Sequence, residues 1–348
     1  MRRDPAPGSL LDAAVSPSGW CVRAPGRLHL GFLDPAGSLG RRFGSLGLMV
    51  EEFETVLELR AAQRDEASVA DGEAQEQLQA ALRHLAALRE ASGRRTPLRL
   101  HLAQLLPTHA GLGSGTQLAL AVGHAFCRVH ALHYSSADLA QITGRGLRSG
   151  IGIAGFEHGG LLLDGGPGAH GAVAPLLARL ALPPHWRVLV VLDPRLRGLS
   201  GDDEKRALRE LAPLPRDAAA EICHQVLMRV LPGAASGDFE SFAAGVTRMQ
   251  AILGAHFAPA QRGPTFASAA VARAIAAIGG DAAVGQSSWG PTGFAVFASS
   301  AAAESALAAA RRNQAVDAAL RVCIVRARDH GATFEALSRQ AQHRVAAI

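Results

Sequence analysis

The segment Pro107-Thr108-His109-Ala110-Gly111-Leu112-Gly113-Ser114-Gly115-Thr116-Gln117-Leu118-Ala119-Leu120 places three glycines and two hydroxyls directly ahead of an apolar run. Gly111, Gly113 and Gly115 let the main chain approach a ligand with no Cβ in the way. The apolar run predicts a helix from Ser114 to about Leu132. Its first N–H groups have no partner inside the helix and carry the positive end of its dipole. Such a terminus suits a phosphate or pyrophosphate, with Ser114 and Thr116 adding hydroxyl donors. A glycine turn with Ser114 as helix cap is the plainer reading of the same residues. Arg145 and Arg148 lie in a glycine-dense stretch over 144–171. They can clamp phosphate oxygens in pairs, or they are ordinary surface arginines.

Other residues offer a second set of chemistries. Arg27 and His29 alternate with Leu28 and Leu30, so they share one face of a strand. Either can bind a carboxylate or a phosphate, and His29 reads equally well as a satisfied, half-buried histidine. Asp34 precedes Pro35 and reads as a turn residue. Glu157, His158 and Asp164 surround Gly159-Gly160 and are candidates for charge stabilisation or magnesium contact, with Asp164 and Glu157 as the metal ligands. Trp289 can stack on an aromatic ligand or belong to the core. The segment Asp193-Pro194-Arg195-Leu196-Arg197-Gly198-Leu199-Ser200-Gly201 reads as a lid or an exposed loop.

Composition removes several function classes. Lys205 is the only lysine of the chain, so no Gly-Lys-Ser/Thr phosphate loop exists, and Schiff-base chemistry is left with one residue in a polar run. The net charge of +5 is carried by scattered arginines without interleaved aromatics, which favours small phosphorylated ligands over nucleic acid. Cys21, Cys127, Cys223 and Cys323 contain no C-x-x-C pair, which excludes a zinc or disulfide framework and fits a reducing cytoplasm. No run of about 18 apolar residues is present, so no membrane span is expected, and residues 1–19 read as a loose leader rather than a signal peptide.

The elements that must position these residues follow from periodicity. Strands are predicted at Trp20–Arg23, Arg27–Leu33, around Thr55–Leu59 and Leu98–Leu102. Helices are predicted over 73–91, from Ser114 to Leu132, and over Asp138–Thr143. Pro183-Pro184 marks a domain boundary, giving 20–184 and 185–348. The second half carries helices near 203–212, 216–230, 238–253 and 265–278, and strands near 187–192, 281–287, 293–298 and 321–326. The class is α+β.

The glycine loop resembles the second signature of the superfamily named for galactokinase, homoserine kinase, mevalonate kinase and phosphomevalonate kinase (GHMP), Pro-x-x-x-Gly-Leu-Gly-Ser-Ser-Ala. Ala24-Pro25-Gly26-Arg27-Leu28-His29-Leu30-Gly31 resembles the first signature, and Gly285-Gln286-Ser287-Ser288-Trp289-Gly290-Pro291-Thr292-Gly293-Phe294 sits where the third belongs. The resemblance implies a GHMP-kinase-like two-domain fold, with a mixed-sheet N-terminal domain carrying the phosphate loop and a ferredoxin-like α/β sandwich behind it. The departures concern phosphoryl transfer. Gly115 replaces the serine that helps hold the metal in the kinases, and Gly152, in Ser149-Gly150-Ile151-Gly152, replaces the aspartate base. No acid occurs from Leu139 to Phe156. Phosphoryl transfer to an alcohol requires these parts together.

The pattern Arg145-Gly146-Leu147-Arg148-Ser149-Gly150-Ile151-Gly152, with Phe156-Glu157-His158-Gly159-Gly160 and Asp164-Gly165-Gly166, resembles beta-ribofuranosylaminobenzene 5'-phosphate synthases. That resemblance implies condensation of phosphoribosyl pyrophosphate with a para-substituted benzoate and release of carbon dioxide and pyrophosphate. It further implies magnesium, a homodimer and small-molecule partners only. On it, Gly111, Gly113, Ser114, Gly115, Thr116, Arg145 and Arg148 cradle pyrophosphate. Arg27, His29, Glu157, His158 and Asp164 supply catalysis, and Ser149, Ser287, Trp289 and Gly290 contact substrate. An ATP-dependent small-molecule kinase and a non-catalytic binding protein of the same fold are the rival readings.

Overall fold

A computed structural model of the chain describes residues 18–72, 74–168, 171–199, 201–261 and 265–338, without the side chains of 202, 203, 205 and 208. The leader expected at the start falls almost wholly outside the described residues. The chain runs β1 (Gly19–Asp34), β2 (Phe43–Ala61), β3 (Glu66–Val69), α1 (Gln75–Ser92), β4 (Leu98–Gln104), α2 (Ser114–His130), α3 (Ser136–Ile142), α4 (Ile151–His158), β5 (Leu161–Asp164) and β6 (Leu176–Leu180). It continues through β7 (Arg187–Leu192), α5 (Gly201–Glu210), α6 (Arg216–Gln225), α7 (Leu231–Ser236), α8 (Phe239–Phe257), α9 (Ala269–Ile278), β8 (Ala283–Gln286), β9 (Thr292–Phe297), α10 (Ser300–Arg312), β10 (Arg321–Val325) and β11 (Thr333–Leu337).

Seven strands form the first sheet, in the order β11-β1-β2-β4-β3 with β5 and β6 branching from β2. β3 and β4 are parallel and the other pairs antiparallel, so the sheet is mixed. Val22, Leu57, Leu59, Leu100 and Leu102 of its strands pack against Leu85 and Leu88 of α1 and Leu118, Val122 and Phe126 of α2. α2 is therefore anchored along its apolar face, and its N-terminus stands at the sheet's edge where the glycine loop delivers it.

The second sheet is four-stranded and antiparallel, in the order β10-β7-β9-β8. With helices between β7 and β8 and between β9 and β10, this is the β-α-β-β-α-β ferredoxin-like topology. α9 and α10 cover one face through Val271, Ile275 and Leu307. α6 and α8 cover the other through Ile222, Phe242, Val246 and Met249, and the same helices reach Leu28, Leu30, Leu46 and Leu48 of the first sheet. One core therefore joins the two sheets, which fixes β1 relative to β8 and β9.

Three differences from the sequence reading have physical causes. The glycine-dense stretch 144–171 contains α4 and β5. Some of its glycines answer to close packing and others to turns: a Cβ at Gly155 would lie 2.2 Å from Met49 Sδ, while Gly144 and Gly171 have φ +69° and +77° with nothing within 4 Å. The alanine-rich α10 lacks the large apolar residues that mark a buried helix face. β11 returns from the C-terminal half to pair with β1, so a division at 184/185 assigns this strand by chain order and not by the sheet it joins. Arg328, 4% exposed, clasps that return through Glu54 and the carbonyl of Gly331. All four cysteines are free. Among the described residues no helix is long and apolar enough to cross a membrane.

Buried histidines set a pH limit on this fold. His84 on α1 and His124 on α2 are each held at about 4, mainly by burial, with Arg145 then Arg83 adding for His84 and Arg128 for His124. Their ordinary value is 6.5. The unfolded chain takes up these protons first, so the stabilisation is complete above 6.5 and is lost as pH falls towards 4. The denaturation midpoint should fall across that window. The double variant His84→Gln/His124→Gln should fall less steeply, and an equal slope in both proteins would contradict the assignment.

Candidate active site

Two bulges interrupt β1, between Pro25 and Arg27 and between His29 and Gly31. Bulges re-aim side chains, and here they bracket the residues of the first signature. The Arg27 amide donates to Leu112 O at 3.0 Å, and its Nη1 donates to Gly111 O at 2.6 Å. The Ser287 hydroxyl donates to the same Gly111 oxygen at 2.6 Å and accepts from the His29 amide at 2.9 Å. The Ser288 amide donates to His29 O at 3.1 Å. Three segments far apart in sequence thus close into one main-chain junction. Glycine is required where they touch. Gly111 has φ +80° and a Cβ there would lie 2.3 Å from Ser287 O, while one at Gly290 would lie 2.3 Å from the Ala110 carbonyl carbon.

The far side of this junction carries the cations. α2 is capped by Gly113 at φ 81° with no side-chain cap, so Ser114 is its first helical residue and not the cap. A Cβ at Gly115 would lie 3.1 Å from Arg145 Nη1, and one at Gly113 3.1 Å from Arg27 Cγ. The missing side chains leave room for guanidinium groups beside the helix terminus. Arg148 Nη2 donates to Glu204 at 2.6 Å, while Arg148 Nη1 and Arg145 Nε are buried with no hydrogen-bond partner. Burial lowers Arg27 to about 10, opposed by Glu204, so it remains a cation at neutral pH. Arg145 is lowered by burial and then by Arg83. Unsatisfied buried donors are costly, and a group of guanidiniums answered, among the described side chains, by Glu204 is poised for an anion.

Arg27, Arg145, Arg148, Gly111, Gly113, Ser114, Gly115 and Thr116 therefore come together, and Ser287 and Gly290 support the loop from behind. Other candidates are placed elsewhere. Asp164 is fully buried: one carboxylate oxygen accepts from the Gly150 amide at 2.8 Å and Ser149 Oγ at 3.1 Å, the other from the Gly166 amide at 2.8 Å. Burial raises its pKa and these hydrogen bonds oppose the rise. Asp164 and Ser149 thus shape the loop that carries Arg148. Glu157 and His158 sit at the opposite end of α4 from Gly152, about 8–9 Å along the helix at 1.5 Å per residue. They are exposed and pair with each other at 3.5 Å. Among the described residues no three His, Cys, Asp or Glu side chains converge on a metal position. Asp164 and Glu157 do not form a magnesium pair, because one is consumed by its own loop and the other points away at the helix end.

Trp289 is buried, 4% exposed, against Phe257 with ring centroids 4.6 Å apart. Asp34 accepts from the Gly37 and Leu39 amides and is the turn residue anticipated. In the 193–201 segment, Asp193 is held by Arg195 and Ser268, and the Gly198 amide donates to His109 O at 2.8 Å. The segment packs on both signature loops as a wall of the site. Ser200 lies outside the described residues. Sequence reasoning missed Glu204, whose polar run carries no mark of its partner, and Gln117, fully buried, whose Nε2 donates to Gly152 O at 2.9 Å and ties α2 to α4. A glutamine facing glycines inside an apolar helix was the available signal.

The fold and the glycine-loop site define a GHMP kinase scaffold. The models described as "GHMP kinases N terminal domain" and "GHMP kinases C terminal" match residues 78–160 and 230–316. Mevalonate diphosphate decarboxylase from Staphylococcus aureus superposes with a TM-score of 0.62 at 13% identity, covering 91% of this chain and 98% of that one. Homoserine kinase from Cytophaga hutchinsonii superposes with a TM-score of 0.57 at 16% identity, covering 95% and 100%. Similarity in sequence is more specific. The beta-ribofuranosylphenol 5'-phosphate synthase of Archaeoglobus fulgidus is 35% identical over 245 residues, 66% of this chain and 75% of the relative. That of Methanothermobacter thermautotrophicus is 32% identical over 246 residues, 66% and 74%. The chain belongs to the beta-ribofuranosylphenol 5'-phosphate synthase family.

The junction at Gly111 is testable by itself. Gly111→Ala forces an alanine to φ +80° against Ser287 O and should destabilise the protein by about 1–3 kcal/mol in urea titration. Gly72→Ala, where a Cβ meets nothing within 4 Å, is the control and should change stability little. Equal stability of the two variants would show that the junction carries no constraint.

Proposed function

We propose that this chain transfers the 5-phosphoribosyl group of phosphoribosyl pyrophosphate to the ring of a para-substituted benzoate, releasing carbon dioxide and pyrophosphate. This is the early pentosyl-transfer step towards a tetrahydromethanopterin-type one-carbon carrier. The relatives' name specifies a phenol product, which favours 4-hydroxybenzoate over 4-aminobenzoate as acceptor. The observation that carries the reading is the group formed by Arg27, Arg145 and Arg148 around an uncapped helix terminus, rich in cations and poor in acids. It suits departure of a polyanionic leaving group.

In this reading the bond from ribose C1 to the pyrophosphate oxygen breaks, and its electron pair leaves with pyrophosphate. Arg145, Arg148 and the α2 amides stabilise the charge that develops there. The ring carbon bearing the carboxylate gives a π pair to C1, forming the new carbon–carbon bond. The pair that held the carboxylate returns to the ring as carbon dioxide departs. No hydroxyl proton has to be removed from the nucleophile, so glycine at position 152 is compatible with turnover. In the same reading magnesium enters as an ion carried by the substrate's pyrophosphate; among the described residues no three His, Cys, Asp or Glu side chains converge on a resident ion. A homodimer and a cytoplasmic location belong to the same proposal, on family resemblance.

The kinase reading meets two obstacles in packing. A Cβ at Gly152, where the kinases place their base, would lie 2.9 Å from Thr116 Cγ2, and the space beside Gly115 is taken by Arg145. Purified protein given phosphoribosyl pyrophosphate and carboxylate-labelled 4-hydroxybenzoate should release carbon dioxide and pyrophosphate in equal amounts. Arg145→Ala should lower kcat/KM about 100-fold. Absence of release with either acceptor from folded protein would end this reading.

A further inference from the structure

His29 is 3% exposed, and its Nε2 is buried without a hydrogen-bond partner. It lines a small cavity with Gly31, Phe32, Leu253, Phe257 and Trp289. The glutamine side chains there are already engaged with one another and with the main chain. Gln250 donates to Leu30 O and accepts from the Gln286 amide at 2.8 Å, and Gln286 Nε2 donates to Gln261 at 2.8 Å and Ser288 O at 3.0 Å. The imidazole nitrogen is left over. Its main chain is pinned at both ends, by Ser287 Oγ and by the Ser288 amide, so the ring is held in place. Phe32 packs edge-on against it, with ring centroids 4.7 Å apart.

The chemistry of the cavity selects its occupant. Among the described residues no charged side chain lines it, so the described walls suit a neutral polar group. Burial, then Arg27, then Arg148, lower its pKa well below 6.5 and keep the imidazole neutral. The cavity holds about 30 Å³. That gives room for a water-sized group such as a hydroxyl or amino group. Aromatic walls at Phe32, Phe257 and Trp289 flank it, and Arg27 lies two residues along the same strand.

We propose that this cavity is the subsite for the para substituent of the aromatic acceptor: the ring's hydroxyl enters it and hydrogen-bonds to His29 Nε2, while the ring lies outward against Trp289 and Phe257. The assignment rests on the phosphoribosyl-transfer reading for the identity of the acceptor. It gives His29 a part in the reaction as well as in binding. As the ring carbon gives its electron pair to ribose C1, positive charge spreads to the para oxygen, and an acceptor nitrogen on that hydroxyl stabilises it. The proton stays in the hydrogen bond and is fully back on the oxygen once carbon dioxide has left.

The experiment titrates 4-hydroxybenzoate, benzoate and 4-methoxybenzoate into the full chain by calorimetry with pyrophosphate present. Wild-type protein should bind 4-hydroxybenzoate about tenfold more tightly than benzoate, the worth of one buried hydrogen bond. It should bind 4-methoxybenzoate more weakly by a similar factor, because a methyl group beyond the oxygen overfills the cavity. His29→Ala should bind the hydroxy and unsubstituted acids equally while keeping its pyrophosphate affinity. Undiminished discrimination in His29→Ala, or a loss confined to pyrophosphate, would overturn the assignment. If that variant does not fold, the methoxy comparison on wild-type protein decides: equal binding of 4-methoxy- and 4-hydroxybenzoate, or no binding of either, overturns it. Carbon dioxide release by the same wild-type sample is scored separately. Discrimination without release would remove the transfer reaction and leave a phenol-recognising site standing.

Discussion

The carbonyl oxygen of Gly111 accepts from Ser287 Oγ and Arg27 Nη1, both at 2.6 Å. Each donor belongs to a different segment, so one oxygen fixes the relation of β1, the phosphate loop and the β8–β9 turn. Glycine at 111 and 290 makes the contact possible by removing the atoms that would keep the segments apart. The geometry of the site depends on this junction. It sets Arg27 beside Gly113, leaves the α2 terminus uncapped, and holds His29 at the edge of the aromatic cavity. The core shared between the two sheets is what presses the segments together.

On this scaffold, glycines stand at two positions where the kinase signatures carry side chains used for phosphoryl transfer. Gly115 gives its space to Arg145, and Gly152 sits against Thr116 with no room for a longer side chain. A base is lost and a cation gained. The resulting set of guanidiniums is answered by Glu204 alone among the described neighbours of Arg148 and Arg27. Charge of that sign, half-buried and incompletely hydrogen-bonded, is stable only with an anion nearby, which links the architecture of the loop to the class of molecule it holds.

Much of this was legible in the sequence, for identifiable reasons. The three glycine-bearing segments announce close main-chain contact, and their order along the chain points to the fold. β7 at Arg187–Leu192 and α1 at Gln75–Ser92 fall where apolar periodicity placed them, because each packs one face on a sheet. The stretch 144–171 was misread because glycine spaced for tight packing looks the same as glycine spaced for freedom. The surroundings of Asp164 and Glu157 were not legible for a related cause: an acid beside glycines gives the same signal whether it clamps its own loop, faces solvent or holds a metal. Glu204 and the cavity at His29 depend on contacts between residues dozens to hundreds of positions apart, and no local pattern encodes them.

The central claim is that the glycine loop and its arginines form a site for phosphoribosyl pyrophosphate rather than for a nucleotide. Competition between phosphoribosyl pyrophosphate and ATP for the purified chain, each with magnesium and without acceptor, tests it most directly. The account predicts that phosphoribosyl pyrophosphate binds in preference to ATP and that Arg27→Ala abolishes the preference. ATP binding as tight or tighter, or a preference untouched by Arg27→Ala, would contradict it.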